Sequence, residues 1–369
     1  MIPYFEKAHE TLADDLAAKV VALDWSADDT KGACEKLAHL GVYRLLAPAS
    51  SVRSLCVARE ILAYRSPKAD AIFAVQGLAS QPLVLSGEEA RWRDRLDDVK
   101  RGRALGGFAL TEPEAGSDVA SMRAVARRGG EQWLLDGEKT FISNVGIADF
   151  FVVFANADPA RGKKGISAFL LDAGAPGLLL ESIETVDEHP LGRLVLRGAS
   201  AQLVGEVGQG LRLALGTLDV FRTSVGAAAN GMARRALDEA IAHVRKRVQF
   251  GKPLAEFQLV QAALAEMATE LEAARGLVAR AAWAKDTGCA GPTDVAMAKL
   301  FATEAAQRIV DRAVQLLGGR GVVRGAPVER LYRSVRSLRI YEGTSEIQKL
   351  IIGGALVAPA SPAAGEGGR

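Results

Sequence analysis

The spacing of apolar residues divides the chain into parts of different character. Residues 1 to about 103 repeat apolar positions at helical intervals, most clearly in CEKLAHLGVYRLLAP and VAREILAYR. Ala, Leu, Glu and Arg dominate this stretch, and β-branched runs are few. We therefore predict an N-terminal helical domain over residues 1–103.

Between Ala104 and about Val207 the pattern changes to short apolar runs, such as FFVVFANAD, GISAFLLDA and LVLRGASAQLVG, separated by Gly, Pro and Asp. Asp136 and Gly137 lie between two apolar runs in WLLDGEKTFI. Because both residue types favour positive φ, we predict a hairpin turn there. No long helical pattern interrupts the strands, so an antiparallel barrel or sandwich over residues 104–207 is favoured over a βαβ sheet.

The remaining chain again has helical periodicity. Apolar residues alternate at spacings of four and three, as in the seam of a helix bundle; these are Val260, Leu264, Met267, Leu271, Ala274, Val278 and Ala281. GKPL at 251–254 and TGCAGP at 287–292 contain the Gly and Pro that end helices. We predict a four-helix bundle over residues 208–357 and a disordered tail over 358–369, which gives an α+β, mainly α, fold class.

Composition narrows the function. The 369 residues carry a formal charge of +2, with basic and acidic residues interleaved, which gives no basic surface for nucleic acid. Three cysteines and four histidines lie at no metal-site spacing. The N-terminus is charged and lacks a secretory apolar core, and no run approaches a membrane span. We expect a soluble cytoplasmic protein that has no metal, nucleic-acid partner or membrane insertion.

Three segments combine glycine or small polar residues with acids. FALTEPEAGSD, residues 108–118, leaves a strand for a loop whose amides and hydroxyls suit a phosphate or a polar ring edge. A turn capped by Ser117 and Asp118 is the alternative. EKTFISN, residues 138–144, suits an ordinary barrel strand. QLLGGRG, residues 315–321, places glycines after a helix, which is a C-cap pattern and not a Rossmann fingerprint.

A lone carboxylate stands near the C-terminus, in RIYEGTSEIQKLIIGG, residues 339–354. Glu342 follows apolar Ile340 and Tyr341 and precedes Gly343. On its own this pattern fits an exposed turn ahead of a helix, since most carboxylates are solvated. A chemical role for Glu342 depends on the rest of the chain.

Five segments occur together and in the order typical of one family: FALTEPEAGSD, GEKTFISN, RVQFGKPLAEFQ, QLLGGRG and YEGTSEIQ. Through them the chain resembles the acyl-CoA dehydrogenases over nearly its whole length. The resemblance implies a helical domain, a middle β domain and a C-terminal four-helix bundle that enclose FAD. It also implies a homotetramer, an acyl-CoA substrate and an electron-transfer flavoprotein as electron acceptor.

The resemblance assigns cofactor contacts residue by residue. The flavin ring is expected against Phe108, Leu110, Thr111, Phe141, Ile142 and Ser143, with Gly116 and Ser117 in the adjoining loop. The pyrophosphate and adenine are expected at Arg247, Phe250, Gln258, Gln315, Gly318 and Gly319, several of them across a subunit boundary. Thr344 and Glu346 match the last flavin contacts. The guanidinium of Arg247 suits an anionic pyrophosphate, although alone it would be read as a surface charge.

Glu342 matches the base that removes the α-proton of an acyl thioester while a hydride leaves the β-carbon, which gives a trans-2-enoyl thioester. In the family the thioester oxygen is stabilised by the FAD ribityl hydroxyl and the backbone N–H of the base. Burial beside Ile340 and Tyr341 is expected to raise the pKa of Glu342. Some branches carry the base on the first C-terminal helix, but Phe221 occupies that position here. Further substrate-side matches are Ser117, Asp219, Arg222 and Gly343.

The chain also departs from the family pattern. Gly353-Gly354 stands where relatives carry an Ala-Arg pair, and PASSVRSL, residues 48–55, replaces the usual PEEYGG loop. Because the N-terminal domain helps to wall the acyl pocket, the substrate is left open. A carrier-protein thioester is one alternative, and a non-catalytic helical scaffold of the same fold is another.

Overall fold

The computed structural model describes residues 4–25, 30–46 and 51–358. Its N-terminal part is helical, as predicted, and comprises α1 (Lys7–Val21), α2 (Thr30–Leu40), α3 (Val52–Arg65), α4 (Pro67–Leu85) and α5 (Glu89–Lys100). α4 begins where the Ser66 side chain accepts a hydrogen bond from the Ala69 amide and where Pro67 takes the first helical position. The buried faces of α1 to α4 share one apolar core.

The middle part is a barrel-like sheet. Its strands are β1 (Gly106–Ala109), β2 (Val125–Gly129), β3 (Gln132–Ser143), β4 (Phe150–Asn156), β5 (Ile166–Asp172), β6 (Leu178–Ser182) and β7 (Leu191–Val204). The strand order is β1-β4-β2-β3-β7-β5, and β5 returns to pair with β4, which closes the ring. Most pairs are antiparallel, as predicted, but β1 lies parallel to β4 and a single parallel bridge joins β2 to β4.

The predicted hairpin at Asp136-Gly137 is wrong. β3 runs through both residues without turning, and the chain instead reverses at Gly130-Glu131, because Gly129 pairs directly with Gln132. A register shift between β3 and β7 falls at Asp136, whose carboxylate accepts a hydrogen bond from the Gly198 amide at 2.7 Å. Gly137 has φ +138° and lies so close to Ala124 that a side chain would clash. The dipeptide therefore marks a β-bulge.

The C-terminal part is a helix bundle. α6 (Gly210–Lys246), α7 (Gln258–Asp286) and α8 (Pro292–Leu317) are its long helices, and the short α9 (Pro327–Ser337) and α10 (Ser345–Val357) pack against α8. The short strands β8 (Val248–Gln249) and β9 (Lys252–Pro253) form a hairpin between α6 and α7. Small residues let the long helices approach closely: a Cβ on Gly226 would lie 2.7 Å from Val278.

The apolar seam predicted on α7 packs inside the same chain's bundle. Met267, Leu271, Ala274, Val278 and Ala281 are buried in its core with α6 and α8, and Leu264 packs at the edge. This seam is therefore not free for a second copy. The domain limits 1–103, 104–207 and 208–357 remain predictions, and the tail predicted over 358–369 lies, apart from its first residue, outside the described residues.

The N-terminal helices α3 and α4 pack against the bundle, and two of the contacts involve α7 and Phe221. Asp286, at the end of α7, accepts hydrogen bonds from the Val52 amide at 2.7 Å and from Arg53 Nε at 2.8 Å, so it caps α3. Both donors belong to the unusual segment 48–55, whose first three residues lie outside the described part of the chain. Phe221 of α6 is buried against Gly77 of α4, where a Cβ would come within 2.4 Å of the ring. No helix in the described residues has the length and apolar character that a bilayer crossing requires.

Candidate active site

Glu342 lies on a short loop between α9 and α10, residues 339–345, which we call the base loop. Glu304 of α8 holds both ends of this loop, since its Oε1 accepts from Arg339 Nε at 2.8 Å and from Ser345 Oγ at 2.6 Å. The Ser345 amide also donates to the Arg339 carbonyl at 3.1 Å. One carboxylate therefore closes the loop at its base.

The middle of the base loop is held by side chains from two long helices and α10. Arg222 Nε of α6 donates to the Glu342 carbonyl at 3.0 Å, and Lys299 Nζ of α8 donates to the Gly343 carbonyl at 2.8 Å. Gln348 Nε2 donates to the same Gly343 carbonyl at 3.0 Å. Glu342 adopts φ +52° and Gly343 φ +90°. A non-glycine residue in this region costs about 1–3 kcal/mol, which these hydrogen bonds offset.

The Glu342 carboxylate is shielded on one side. The residue is half-buried, yet its Oε2 is out of solvent and has no hydrogen-bond donor among the described residues. Burial raises the pKa of Glu342, and the positive charges of Arg59, Arg222 and Lys299 oppose the rise. Among the described residues no acceptor takes the Glu342 N–H. An unpaired carboxylate oxygen and an unpaired N–H thus belong to one residue.

The expected source of that burial is only partly right. Tyr341 packs against the bundle core, but Ile340 is 54% exposed and does not cover the carboxylate. The charged groups near the carboxylate include two that sequence reasoning did not find. Arg59 of α3 and Asp70 of α4 form a fully buried ion pair with two 2.9 Å hydrogen bonds, and Arg59 Nη1 also donates to Ser224 of α6.

The signal for these groups was present in the sequence as charges inside apolar helical runs. Arg59 stands within VAREILAYR and Lys299 within VAMAKLFA. Lys299 is fully buried, and burial lowers its pKa to about 8, although Glu342 opposes the shift. A buried charge is rare without a partner, so such positions indicate an internal polar site.

A second buried lysine shapes the loop after β1. Lys139 Nζ of β3 donates to the Leu110 carbonyl at 3.1 Å and to Glu112 Oε1 at 2.8 Å, while Glu112 accepts from the amides of Arg123 and Ala124. Burial lowers the pKa of Lys139 to about 8. The ion pair fixes Leu110 and the start of the 108–118 segment, and the Thr111 carbonyl accepts from the Thr140 amide at 2.9 Å.

The residues expected at the flavin ring are not all equally available. Phe141 lies at a bulge with φ +56° and is 60% exposed, and Ser143 lies two residues further along β3. Ile142 is buried in the barrel core, so only its backbone can meet a ligand. Phe108 stacks edge-on against Phe154 with centroids 5.0 Å apart. Leu110 is buried, Thr111 is half-buried, and Gly116 and Ser117 lie on the exposed loop.

The residues expected at the pyrophosphate and adenine form an exposed group at the far end of the bundle, which we call the distal face. Its members are Arg247, Phe250, Gln258, Gln315, Gly318 and Gly319, and each is exposed. Phe250 has φ +51° and is 93% exposed. Among the described residues no carboxylate pairs with Arg247, and a Cβ added to Gly318 or Gly319 would meet nothing within 4 Å.

The structure separates the base loop from the distal face. Arg222 contacts the base loop, and Arg247 ends the same helix 25 residues later. At 1.5 Å per residue this is roughly 37 Å. Glu342, the expected base, and the residues expected at the pyrophosphate therefore lie in different regions of one chain.

The remaining predicted residues lie beside the base loop. The Thr344 side chain caps α10 by accepting from the Ile347 amide at 3.3 Å, and Glu346 is exposed in the first turn. Asp219 lies one turn before Arg222 on α6, but it is exposed and pairs with Lys285 of α7. Among the described residues no three His, Cys, Asp or Glu side chains gather as a metal site would need.

These features fit the FAD that the resemblance implies. An exposed aromatic ring and the Ser143 hydroxyl beside the bulge suit a planar ring with polar edges. The distal face offers the Arg247 guanidinium, which no carboxylate pairs with in the described ranges, and open glycine backbone, the donor set that an anionic pyrophosphate needs. The two halves match the two ends of such a cofactor.

Two family models match the chain: the acyl-CoA dehydrogenase middle domain over residues 107–199 and the acyl-CoA dehydrogenase C-terminal domain over residues 208–357. A 3-(aryl)acrylate reductase of Clostridium sporogenes is 34% identical over 95% of this chain and 98% of its own. A short-chain specific acyl-CoA dehydrogenase of Megasphaera elsdenii is 38% identical over 81% of this chain and 80% of its own. The caffeyl-CoA reductase-Etf complex subunit CarC of Acetobacterium woodii is 39% identical over 76% of each.

Solved structures share the fold. Butyryl-CoA dehydrogenase from Megasphaera elsdenii aligns with a TM-score of 0.90 and 32% identity over 96% of this chain and 99% of that chain. A glutaryl-CoA dehydrogenase from Mycobacterium smegmatis in complex with FADH2 aligns with a TM-score of 0.89 and 28% identity over 97% and 96%. The prolyl acyl carrier protein oxidase AnaB aligns with a TM-score of 0.89 and 26% identity over 96% and 100%.

Proposed function

Because the chain belongs to the acyl-CoA dehydrogenase family of oxidoreductases, whose cofactor is FAD, we propose that it converts an acyl-CoA to the trans-2-enoyl-CoA, with Glu342 as the base. The observation that carries this proposal is the Glu342 carboxylate, whose shielded Oε2 has no hydrogen-bond donor in the described part of the chain and whose pKa is raised by burial. A base with a raised pKa binds the abstracted proton more tightly and is better matched to neutral pH. FAD, when bound, supplies the acceptor for the β-hydride.

The base loop performs the other half of the chemistry. As the α-proton moves to Glu342, negative charge develops on the thioester oxygen and needs hydrogen-bond donors. The unpaired Glu342 N–H is such a donor, and the positive φ of Glu342 and Gly343 turns this part of the backbone away from helical pairing. Arg222 and Lys299 place two positive charges behind the loop, where they stabilise the carboxylate form of the base.

The position of the distal face supports an oligomer. Roughly 37 Å of α6 separates Arg222 from Arg247, which is longer than one FAD can bridge while also facing the base. This separation supports a cofactor site that the distal face of another copy completes. The exposed Phe250 ring would be covered in that assembly, and a homotetramer is the expected form.

A carrier-protein thioester is the second candidate substrate, and the alignment with a prolyl acyl carrier protein oxidase over 96% of this chain favours it. A panel of acyl-CoAs against acyl-carrier proteins separates the two. We also propose an electron-transfer flavoprotein as the electron acceptor, supported by a relative that is a subunit of an Etf complex.

Replacement of Glu342 by Gln tests the proposed base. This change keeps the size and polarity of the side chain but removes the proton acceptor. We expect Glu342→Gln to purify with FAD and to bind acyl-CoA, yet to bleach at least ~100-fold more slowly under anaerobic conditions. Bleaching is followed as the loss of flavin absorbance after mixing with substrate.

The matched control is Glu239→Gln, the same chemical change at a surface carboxylate of α6 that pairs with Arg235. It should bleach at the wild-type rate. A wild-type rate in Glu342→Gln would falsify the assignment of the base. A colourless wild-type protein that takes up no added FAD would instead support the non-catalytic scaffold.

A further inference from the structure

A chain of polar side chains connects the expected flavin side of the barrel to the helix before the base loop. Ser143 Oγ of β3 lies 3.2 Å from His189 Nε2, and His189 Nδ1 lies 3.3 Å from Asp187 Oδ2. Ser337 Oγ, in the last residue of α9, donates to the same Asp187 oxygen at 2.9 Å. None of these contacts serves the steps described above, apart from the expected place of Ser143 at the flavin ring.

The local fold explains why these groups meet. Ser143 pairs with Leu191 across β3 and β7, and the Asn144 amide donates to the Pro190 carbonyl at 2.9 Å. His189 precedes that pair directly, so its ring falls beside the Ser143 hydroxyl. The loop that carries it is docked on α9, where Arg330 and Arg333 each contact Glu188 at 2.8 Å. His189 is buried, and side-chain exposure is only 12% for Asp187.

Asp187 decides which way the hydrogen bonds run. Burial opposes ionisation, but the close contact with His189 and the hydrogen bond from Ser337 hold the pKa of Asp187 below its usual range, so it is a carboxylate at neutral pH. A carboxylate beside Nδ1 favours the tautomer with the proton on that nitrogen, although the contact is not a well-aligned hydrogen bond. A ring that carries a single proton, on Nδ1, has an acceptor at Nε2 for the Ser143 hydroxyl, which lies 3.2 Å away.

We propose that His189 is a positioning residue that engages the Ser143 proton and leaves the Ser143 oxygen as a hydrogen-bond acceptor toward the flavin edge. This rests on the proposed location of the flavin ring beside Phe141 and Ser143. A flavin gains N–H donors when it is reduced, so an acceptor at its edge favours the reduced form. The same order of groups activates nucleophilic serines in hydrolases, but here the hydroxyl is expected to face a ring.

Replacement of His189 by Leu tests the proposal through the two-electron reduction potential of the bound flavin. Without His189 the Ser143 hydroxyl is free to donate to the oxidised ring instead. We expect the equilibrium to shift about tenfold toward the oxidised form, which is a potential lower by ~30 mV. His189→Gln retains an acceptor of similar reach and should recover most of the wild-type potential.

A double-mutant cycle shows whether His189 acts through Ser143. Ser143→Ala removes the acceptor and should lower the potential by itself, and His189→Leu should then add nothing. If His189→Leu lowers the potential equally in both backgrounds, or in neither, the positioning role is wrong. Should His189→Leu fail to fold, Asp187→Asn is the second variant. It removes the carboxylate that favours a proton on His189 Nδ1, and it should shift the potential in the same direction.

Two further measurements separate this proposal from the proposed function. Glu188→Gln weakens the docking of the same loop on α9 without touching the Ser143–His189 contact, and it should leave the potential unchanged. If Ser143→Ala leaves both the potential and the flavin absorption spectrum unchanged, the flavin does not lie at Ser143. The positioning role of His189 is then wrong as well. The Glu342→Gln result does not depend on either outcome.

Discussion

The base loop and the distal face differ in how much of their geometry one chain fixes. The base loop is held by hydrogen bonds to four side chains, Arg222, Lys299, Glu304 and Gln348. These bonds hold Glu342 at its strained φ. The distal face has an exposed Phe250 and an Arg247 without a carboxylate partner in the described residues. This comparison supports two parts of the proposal: that proton abstraction by Glu342 is preorganised within one chain, and that cofactor binding at the distal face is completed by what packs on it.

Loss of Glu304 should disrupt the geometry of the base loop. Glu304→Ala releases Arg339 and Ser345 together, and a displacement of the base by about 1 Å costs up to ~100-fold in rate. We expect anaerobic bleaching to slow by ~10- to 100-fold while FAD content stays at the wild-type level.

Glu270→Ala is the control for that change, because Glu270 joins α7 to Arg308 and Arg312 of the same helix α8 but does not contact the base loop. It should bleach normally. A wild-type rate in Glu304→Ala would show that the base loop keeps its shape without its closing carboxylate.

Replacement of Arg247 should weaken FAD binding at the distal face. Arg247→Ala removes a charge-assisted hydrogen bond to an anion, and we expect FAD to dissociate about tenfold more readily. Bleaching at saturating FAD should be unchanged, because the base loop is intact. FAD dissociation is measured by fluorescence recovery on dilution.

Arg245→Ala, in the exposed last turn of α6, is the matched control and should retain FAD as wild type does. Equal FAD retention in Arg245→Ala and Arg247→Ala would identify Arg247 as an ordinary surface charge.

The smallest expected effect is on the pH dependence of bleaching, which tests how Lys299 influences the pKa of Glu342. If Glu342 is the base, as proposed, its unprotonated form is the active one, and bleaching should slow as pH falls through its raised pKa. Lys299 lowers that pKa, and Lys299→Met should therefore move the acidic limb to higher pH by up to about one unit. The wild-type Lys299 has a pKa of about 8, so above that pH it loses its charge and the two profiles should converge.

The position of the acidic limb, measured from about pH 5 to 9, is the readout for Lys299→Met, because loss of the bond to Gly343 also changes the absolute rate. A limb at the same pH in both proteins would mean that Lys299 acts only as a hydrogen-bond donor. Lys299→Arg, which retains a cation, should keep the limb near the wild-type position if it is accommodated.

Much of the architecture was readable in the sequence. Helical spacing and glycine breaks predicted the long helices of the bundle, including the turns at 251–254 and 287–292, because a buried helix face requires apolar residues at that period. Short apolar runs separated by Gly, Pro and Asp, without a long helical pattern between them, predicted an antiparallel barrel or sandwich, and the structure has the barrel-like sheet. The motif around Glu342 identified the one carboxylate on the base loop, although its position at the start of α10 is equally that of a turn.

The tertiary structure decided how these parts are held. Asp136-Gly137 has the composition of a turn, but it became a bulge because it lies inside β3, where pairing with β7 extends on both sides of the dipeptide. Lys139 and Thr140 are neighbours in β3 and are both buried, because the register shift before Ile142 interrupts the alternation of the strand. Local preference is too weak to settle such choices against packing across the sheet.

The polar contacts show most clearly which features the sequence determined and which depended on the tertiary structure. The sequence itself determined which segments become helix or strand and supplied Glu342, Arg247 and Ser143, because burial periodicity and residue chemistry are local properties. Only the tertiary structure brought Lys299 to Gly343, 44 residues away, Arg222 to Glu342, 120 residues away, and Ser143 to His189, 46 residues away. A buried polar group must find a partner wherever packing provides one, and nothing in the spacing of residues along the chain records which partner that is.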